Sequence, residues 1–138
     1  MSSLCSIELK NELSEIARLG SFIEKVGEDN NLPPDTILAL LLASDELVTN
    51  VIMYGCTDAR EHQIVVSLEC TESSVHLIIA DDGIQFDPLA APDADTSLPL
   101  EEKKIGGLGI HLVKKMMNEV AYRYQDNKNI MSMKKYFT

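Results

Sequence analysis

QIVVSLECTESSVHLIIADDG occupies residues 63–83, and its periodicity decides the fold. Two runs rich in β-branched residues, QIVVSLEC and SVHLIIAD, are separated by a polar turn at Thr71 to Ser74. Branched side chains suit a pleated, half-buried surface, so the pair is predicted as an antiparallel hairpin. Ile64, Val66, Leu68 and Cys70 alternate with Val65, Ser67 and Glu69. That period of two is the signature of a sheet with one face on a core. The hairpin ends in Asp81-Asp82-Gly83 and runs on into the proline-bearing stretch IQFDP.

Working outward toward the N-terminus, Pro33 and Pro34 precede DTILALLLASDELVTNVIMYG, which ends at Gly55. Proline is tolerated in a first helical turn, so this stretch is predicted as a strongly apolar helix, buried on most sides. Before it, Leu13, Ile16, Ala17, Ile23 and Val26 recur at helical spacing, which predicts an amphipathic first helix over residues 9–26. Toward the C-terminus, residues 86–104 show no period and are predicted as a long loop. After IGGLG, the positions Leu108, Leu112, Val113, Met116 and Met117 predict a third helix. EVAYRYQ and NIMSMKKYF predict two closing strands about a turn at Asp126 to Asn129. The order is helix, helix, strand, strand, loop, helix, strand, strand. This is an α+β class chain: a two-layer α/β sandwich with a mixed, mostly antiparallel sheet and the helices on one face.

Composition narrows the function. At 138 residues the chain has the length of a single domain, 1–138, and 45% hydrophobic residues suit a folded core. A net charge of −10 argues against nucleic acid or anionic lipid as a partner, because both demand a positive surface. The opening residues MSSLCSIELKNELSEIARLG have no uninterrupted apolar core, so neither a signal peptide nor a membrane span is expected there. A cytoplasmic location follows as the expectation. Cys5, Cys56 and Cys70 are widely spaced with no C-x-x-C pair, which suits reduced thiols rather than a zinc site.

Three places have chemistry-bearing residues. In the second helix, Asp45, Glu46, Thr49 and Asn50 form polar pairs at i, i+4 amid leucine and valine. Periodicity alone leaves two alternatives open: a solvated outer stripe, or a Glu46–Asn50 pair projecting into a polar cavity. In a cavity, the carboxylate would take a proton and the amide oxygen would ligate a hard cation. At the strand end, Asp81 is either part of a simple turn or a carboxylate held rigidly to accept hydrogen bonds, with Gly83 letting the backbone approach a flat ligand. Finally, KKIGGLGIHLVKKM leads glycines 106, 107 and 109 straight into a helix, where bare amides and the helix dipole favour an anion. A plain loop-to-helix junction has the same sequence.

Taken in order, E-x-x-x-N on a helix, D-x-G at a strand end, a long loop and G-G-L-G before a helix resemble the GHKL nucleotide-binding family, the Bergerat fold. The resemblance covers residues 44–117. Within that family, DELVTNVIMYG, DDGIQFDP and IGGLGIHLV are most similar to the anti-sigma-factor serine-protein kinases. The resemblance implies ATP and Mg²⁺ as ligands, with Glu46 as general base and Asn50 holding Mg²⁺. It implies that Asp81 accepts the adenine amino group, with Gly83 giving room for the ring. An ATP lid over about residues 84–106 would contribute Phe86 and Lys104. Gly106, Gly107, Leu108 and Gly109 would meet the phosphates, and Ser132 would lie near adenine. No role is implied for Asp82, which should point away from Asp81. The implied partners are a STAS-domain anti-sigma antagonist and a sigma factor, with a homodimer by family analogy. The other alternative is a nucleotide-binding module that sequesters a regulator without catalysis. One departure stands out: the wider family has D-x-G-x-G, and here Gln85 replaces the second glycine.

Overall fold

The structure is a computed structural model that describes residues 2–56, 61–90 and 107–137. It opens with a strand, β1 (Ser3–Lys10), where no strand was expected. A 3₁₀ turn at Leu13–Glu15 leads into α1 (Ile16–Asp29), followed by α2 (Pro34–Asn50) and a π-helical turn, Val51–Gly55. The hairpin β2 (Gln63–Cys70) and β3 (Ser74–Asp81) has the predicted bounds. After a 3₁₀ turn at Pro88–Ala90 come α3 (Gly107–Met116), β4 (Glu119–Gln125) and β5 (Lys128–Tyr136).

The sequence-based helix over residues 9–26 is therefore corrected: its first residues belong to β1. Cys5, Ile7 and Leu9 turn inward while Leu4, Ser6, Glu8 and Lys10 turn out, a period of two carried by short residues. On α1 the buried side chains are Leu19, Ile23 and Val26, whereas Leu13 is 53% exposed. The sheet order is β1-β2-β3-β5-β4, and every pairing is antiparallel, so the sheet described is not mixed.

One face of the sheet carries the core. Leu9, Ile64, Val66, Leu68, Leu77, Ile79, Met131 and Met133 pack against Leu19 and Ile23 of α1, Leu40, Ala43, Leu47 and Val48 of α2, and Ile110 and Val113 of α3. In α2, Pro34 opens the helix and Asp35 sits in its first turn, where the dipole favours an acid. The stretch Pro34–Gly55 has the length and mean hydropathy, 1.6, of a membrane span, but its apolar face is the one packed on the sheet. It is not buried on most sides as expected, since Leu38 and Leu42 are 55% and 50% exposed. Leu112, expected on the packed face of α3, is likewise exposed.

The last hairpin turns on two residues, Asp126 and Asn127, with φ of 54° and 62°. Two successive positive φ values match the twist of the flanking strands. The tight turn brings Asn129, expected within the turn, into register opposite Asp81 on the central strand β3.

Candidate functional site

The ends of α2, β3 and β5 meet around a cavity of about 260 Å³, near the low end of the small-molecule range of roughly 300–1,000 Å³. Its walls are Leu47, Asn50, Val51, Tyr54 and Gly55 from the helix and Ile79, Asp81, Tyr122, Asn129 and Met131 from the sheet. Ile84, Phe86 and Pro88 close it from the loop after β3. An apolar box with a few polar groups on one side suits a flat heteroaromatic ring.

The helix end and the strand end are clamped together by backbone. The π turn carries the chain so that the Gly55 carbonyl accepts a hydrogen bond from the Ile84 N–H at 3.0 Å. π turns inside α-helices frequently occur at functional sites. A Cβ on Gly83 would lie 2.4 Å from that same Gly55 oxygen. Gly83 is thus required by a close approach of protein backbone, where the sequence reading expected room for a ligand.

Asp81 is buried, and its Oδ1 accepts from the Gly83 N–H at 2.9 Å and from Asn129 Nδ2 at 3.1 Å. Among the described residues no hydrogen bond falls on Oδ2. Burial pushes the Asp81 carboxyl above the ordinary carboxylate range, while the Asn129 and Gly83 hydrogen bonds pull it back. Asp82 does point away: its Oδ1 accepts from the Gln63 N–H at 3.2 Å and pairs with His62 Nδ1 at 3.0 Å. A carboxylate only accepts, so the hydrogen bond is donated by His62 Nδ1–H.

The polar stripe of α2 divides in two. Thr49 Oγ1 donates to Asp45 Oδ1 at 3.1 Å on the exposed side. Asn50 Nδ2 donates to Glu46 Oε1 at 3.2 Å on the half-buried side, and Asn50 lines the cavity. Glu46 in turn lies against the first turn of α3: a Cβ on Gly109 would fall 1.8 Å from Glu46 Oε1. A side chain at Gly109 and the present position of the Glu46 carboxylate exclude one another.

The structure therefore places Asn50, Asp81 and Phe86 on the cavity wall, with Glu46 bonded to Asn50 and lying against Gly109, and Gly83 bonded to Asp81. Gly107 and Leu108 form the start of α3. Lys104, Gly106 and most of the 84–106 stretch lie outside the described residues. Ser132 is not part of the gathering. It pairs across β3 with Ile78 and meets His76 Nε2 at 2.5 Å, on the sheet face turned away from the helices. Strand alternation makes the reason plain, since Met131 and Met133 take the inward positions. The residue at the inward position beside Asp81 is Asn129, which sequence reasoning missed. Its signal was parity: Asn129, Met131 and Met133 share one face, so a polar group stood where the core pattern demanded an apolar one.

The donor set fits a magnesium ion as far as it goes. Nδ2 of Asn50 is engaged by Glu46, so the amide is oriented with its oxygen left as a hard ligand, and magnesium commonly takes one or two protein oxygens besides phosphate and water. Among the described residues no three His, Cys, Asp or Glu side chains cluster to hold a metal by themselves.

Comparison with known proteins gives the family. The sequence profile of the histidine kinase-like ATPase domain matches residues 9–135. The chain belongs to that family. Family members similar to it include the serine/threonine-protein kinase BtrW of Bordetella bronchiseptica, 29% identical over 68% of this chain and 66% of the relative. The serine-protein kinase RsbW of Bacillus velezensis is 29% identical over 74% of this chain and 66% of its own length. RsbW of Oceanobacillus iheyensis is 27% identical over 93% and 82%. The chain thus spans about two thirds of the length of the first two. A solved structure of the RsbU and RsbW domains of a Mycobacterium tuberculosis protein superposes with a TM-score of 0.69 at 13% identity, over 96% of this chain and 32% of that one. That likeness fixes the histidine kinase-like ATPase fold.

Proposed function

We propose that the chain is an Mg-ATP-dependent serine-protein kinase of the anti-sigma-factor type, which transfers the ATP γ-phosphoryl group to a serine of a STAS-domain antagonist. The observation that supports this most is that Asn50, on the wall of the same cavity as Asp81, is hydrogen-bonded to Glu46, whose carboxylate lies against Gly109 in the first turn of α3. Asp81 Oδ2 accepts the exocyclic amine of adenine, and the apolar walls enclose the ring. The amides of Gly107, Leu108 and Gly109 face the phosphates, where the helix dipole favours negative charge. Lys104, Gly106 and Phe86 belong with the lid at about 84–106, which excludes water and so favours transfer to a protein hydroxyl over hydrolysis. Bound at Asn50, magnesium would offset the charge of the triphosphate in a chain of net charge −10.

Glu46 takes the proton from the attacking serine hydroxyl, and Asn50 holds its carboxylate in place through the 3.2 Å hydrogen bond. The names of the relatives support the kinase activity. The proposed role is partner switching, in which a STAS-domain protein and a sigma factor compete for the chain. A cytoplasmic location and a homodimer complete the proposal. Incubation with labelled ATP and a candidate STAS-domain protein tests it. Label should appear on a serine of the partner, and Glu46→Gln should reduce the rate by about 10²–10⁴ while leaving ATP binding intact. Transfer undiminished by Glu46→Gln removes the mechanism.

A further inference from the structure

Asn129 uses its whole hydrogen-bonding capacity at the cavity. Nδ2 donates to Asp81 Oδ1 at 3.1 Å and to the Ile84 carbonyl at 2.8 Å. Oδ1 accepts from the Phe86 N–H at 3.0 Å and from the Tyr122 hydroxyl at 2.5 Å. Two of these partners are backbone groups with fixed roles: a carbonyl can only accept and an N–H can only donate. The orientation of the amide is therefore dictated rather than chosen. Asn129 is 5% exposed and lies directly across from Asp81 in the β3–β5 register.

No other residue does this in the same space. Aspartate has two acceptors and no donor when ionised, so it would oppose both Asp81 and the Ile84 carbonyl. Threonine or serine has a single donor and would leave one buried acceptor without a partner, which is costly. With Oδ1 of Asp81 taken by Asn129 and the Gly83 N–H, the free carboxylate oxygen is Oδ2, and its direction is set by what holds Oδ1.

We propose that Asn129, held by Tyr122, is a specificity-determining positioning residue: by fixing the Asp81 carboxylate as an oriented acceptor, it makes the cavity select a purine with a 6-amino group. This deepens the nucleotide-binding function above and rests on it. A 6-amino group donates to Oδ2. A 6-oxo group presents acceptor to acceptor, and an unsubstituted C6 presents nothing. The same amide ties the loop at Ile84 and Phe86 to the base, so the start of that loop is placed by the groups that read the ring.

The test compares dissociation constants for ATP, inosine triphosphate and the triphosphate of unsubstituted purine riboside, measured by calorimetry with magnesium present. The wild-type chain should favour ATP over the unsubstituted analogue by roughly ten- to a hundredfold, the range for a hydrogen bond to a charged group. Asn129→Asp should bring that ratio close to one. Tyr122→Phe, which keeps both Asn129 and Asp81 but frees the acceptor side of the amide, should give an intermediate ratio with little change in affinity for the unsubstituted analogue. A residue that only supported the fold would weaken all three ligands alike, so an unchanged ratio in the Asn129 and Tyr122 variants overturns the inference. Should Asn129→Asp not fold, the Tyr122→Phe ratio decides it alone. Retained selectivity in these variants, together with its loss in Asp81→Asn, overturns the role of Asn129 and leaves the base site standing. A wild-type chain with no preference among the three overturns both.

Discussion

At the scale of single residues, two glycines of the site respond differently to the same change. In Gly83→Ala the added methyl meets the Gly55 carbonyl, which is backbone and cannot swing aside. Overpacking against fixed atoms costs about 1–3 kcal/mol, so a urea titration should show a clear loss of stability. In Gly109→Ala the obstructing atoms are the carboxyl and Cγ of Glu46, the far end of a flexible side chain. That chain can turn away, so the melting temperature should hold while phosphoryl transfer falls through the displaced carboxylate. Asp81 makes a third case. Its folded pKa is raised by burial above the ordinary value of 3.8, so between the two values the native state holds more proton than the unfolded chain. Stability therefore falls as pH rises through that window, and it is not regained above it. Asp81→Asn lacks the ionisation, so stability of the variant relative to the wild type should increase as pH rises through the window and then level off. The variant should bind ATP less well throughout, the usual exchange of stability for function at a site.

Among the elements, α2 does the most, because one helix supplies core, site and outer surface from successive faces. Asp45 and Thr49 bond to each other on the exposed side, where such pairs contribute little. Asp45→Ala should shift stability by less than about 0.5 kcal/mol and leave transfer unaltered, in contrast to Glu46→Gln one residue along. A loss of transfer in Asp45→Ala would mean that the polar stripe acts as a single unit. The π turn at Val51–Gly55 continues the helix far enough for the Gly55 carbonyl to catch Ile84, and that contact joins the helix layer to the sheet end. β1 shows the opposite economy: an edge strand with only Cys5, Ile7 and Leu9 turned in is enough to complete the sheet.

For the molecule as a whole, the cavity lies where the helix layer and the sheet part company at one end, and the chain surrounding it is strongly acidic. A triphosphate approaching a net charge of −10 is repelled unless a cation comes with it. ATP with magnesium, at about a hundred times its dissociation constant, should stabilise the chain by about 2.7 kcal/mol. In a thermal melt the shift should shrink when magnesium is chelated. An equal shift with and without the metal would speak against any metal at Asn50.

The amino-acid sequence by itself determined the hairpin of β2 and β3, the helix from Pro34 to Gly55, the helix after the glycines and the motif order that marks the family. Each is a local signal, a period or a spacing within a few turns of chain. It also singled out Glu46, Asn50 and Asp81 as candidates, because carboxylates and amides amid apolar runs are conspicuous. It did not show β1, whose three inward positions are too few to outweigh the helical spacing that follows, nor did it separate Ser132 from Asn129, since both are polar residues in one strand. Only tertiary structure decided these: a two-residue turn at Asp126 and Asn127 sets the parity of β5, and parity decides which side chain faces Asp81 and which faces out. Alternation along the strand tells which of its residues share a face, but that this face meets Asp81 is fixed by pairing with β3, and no window of sequence around Asn129 contains that neighbour.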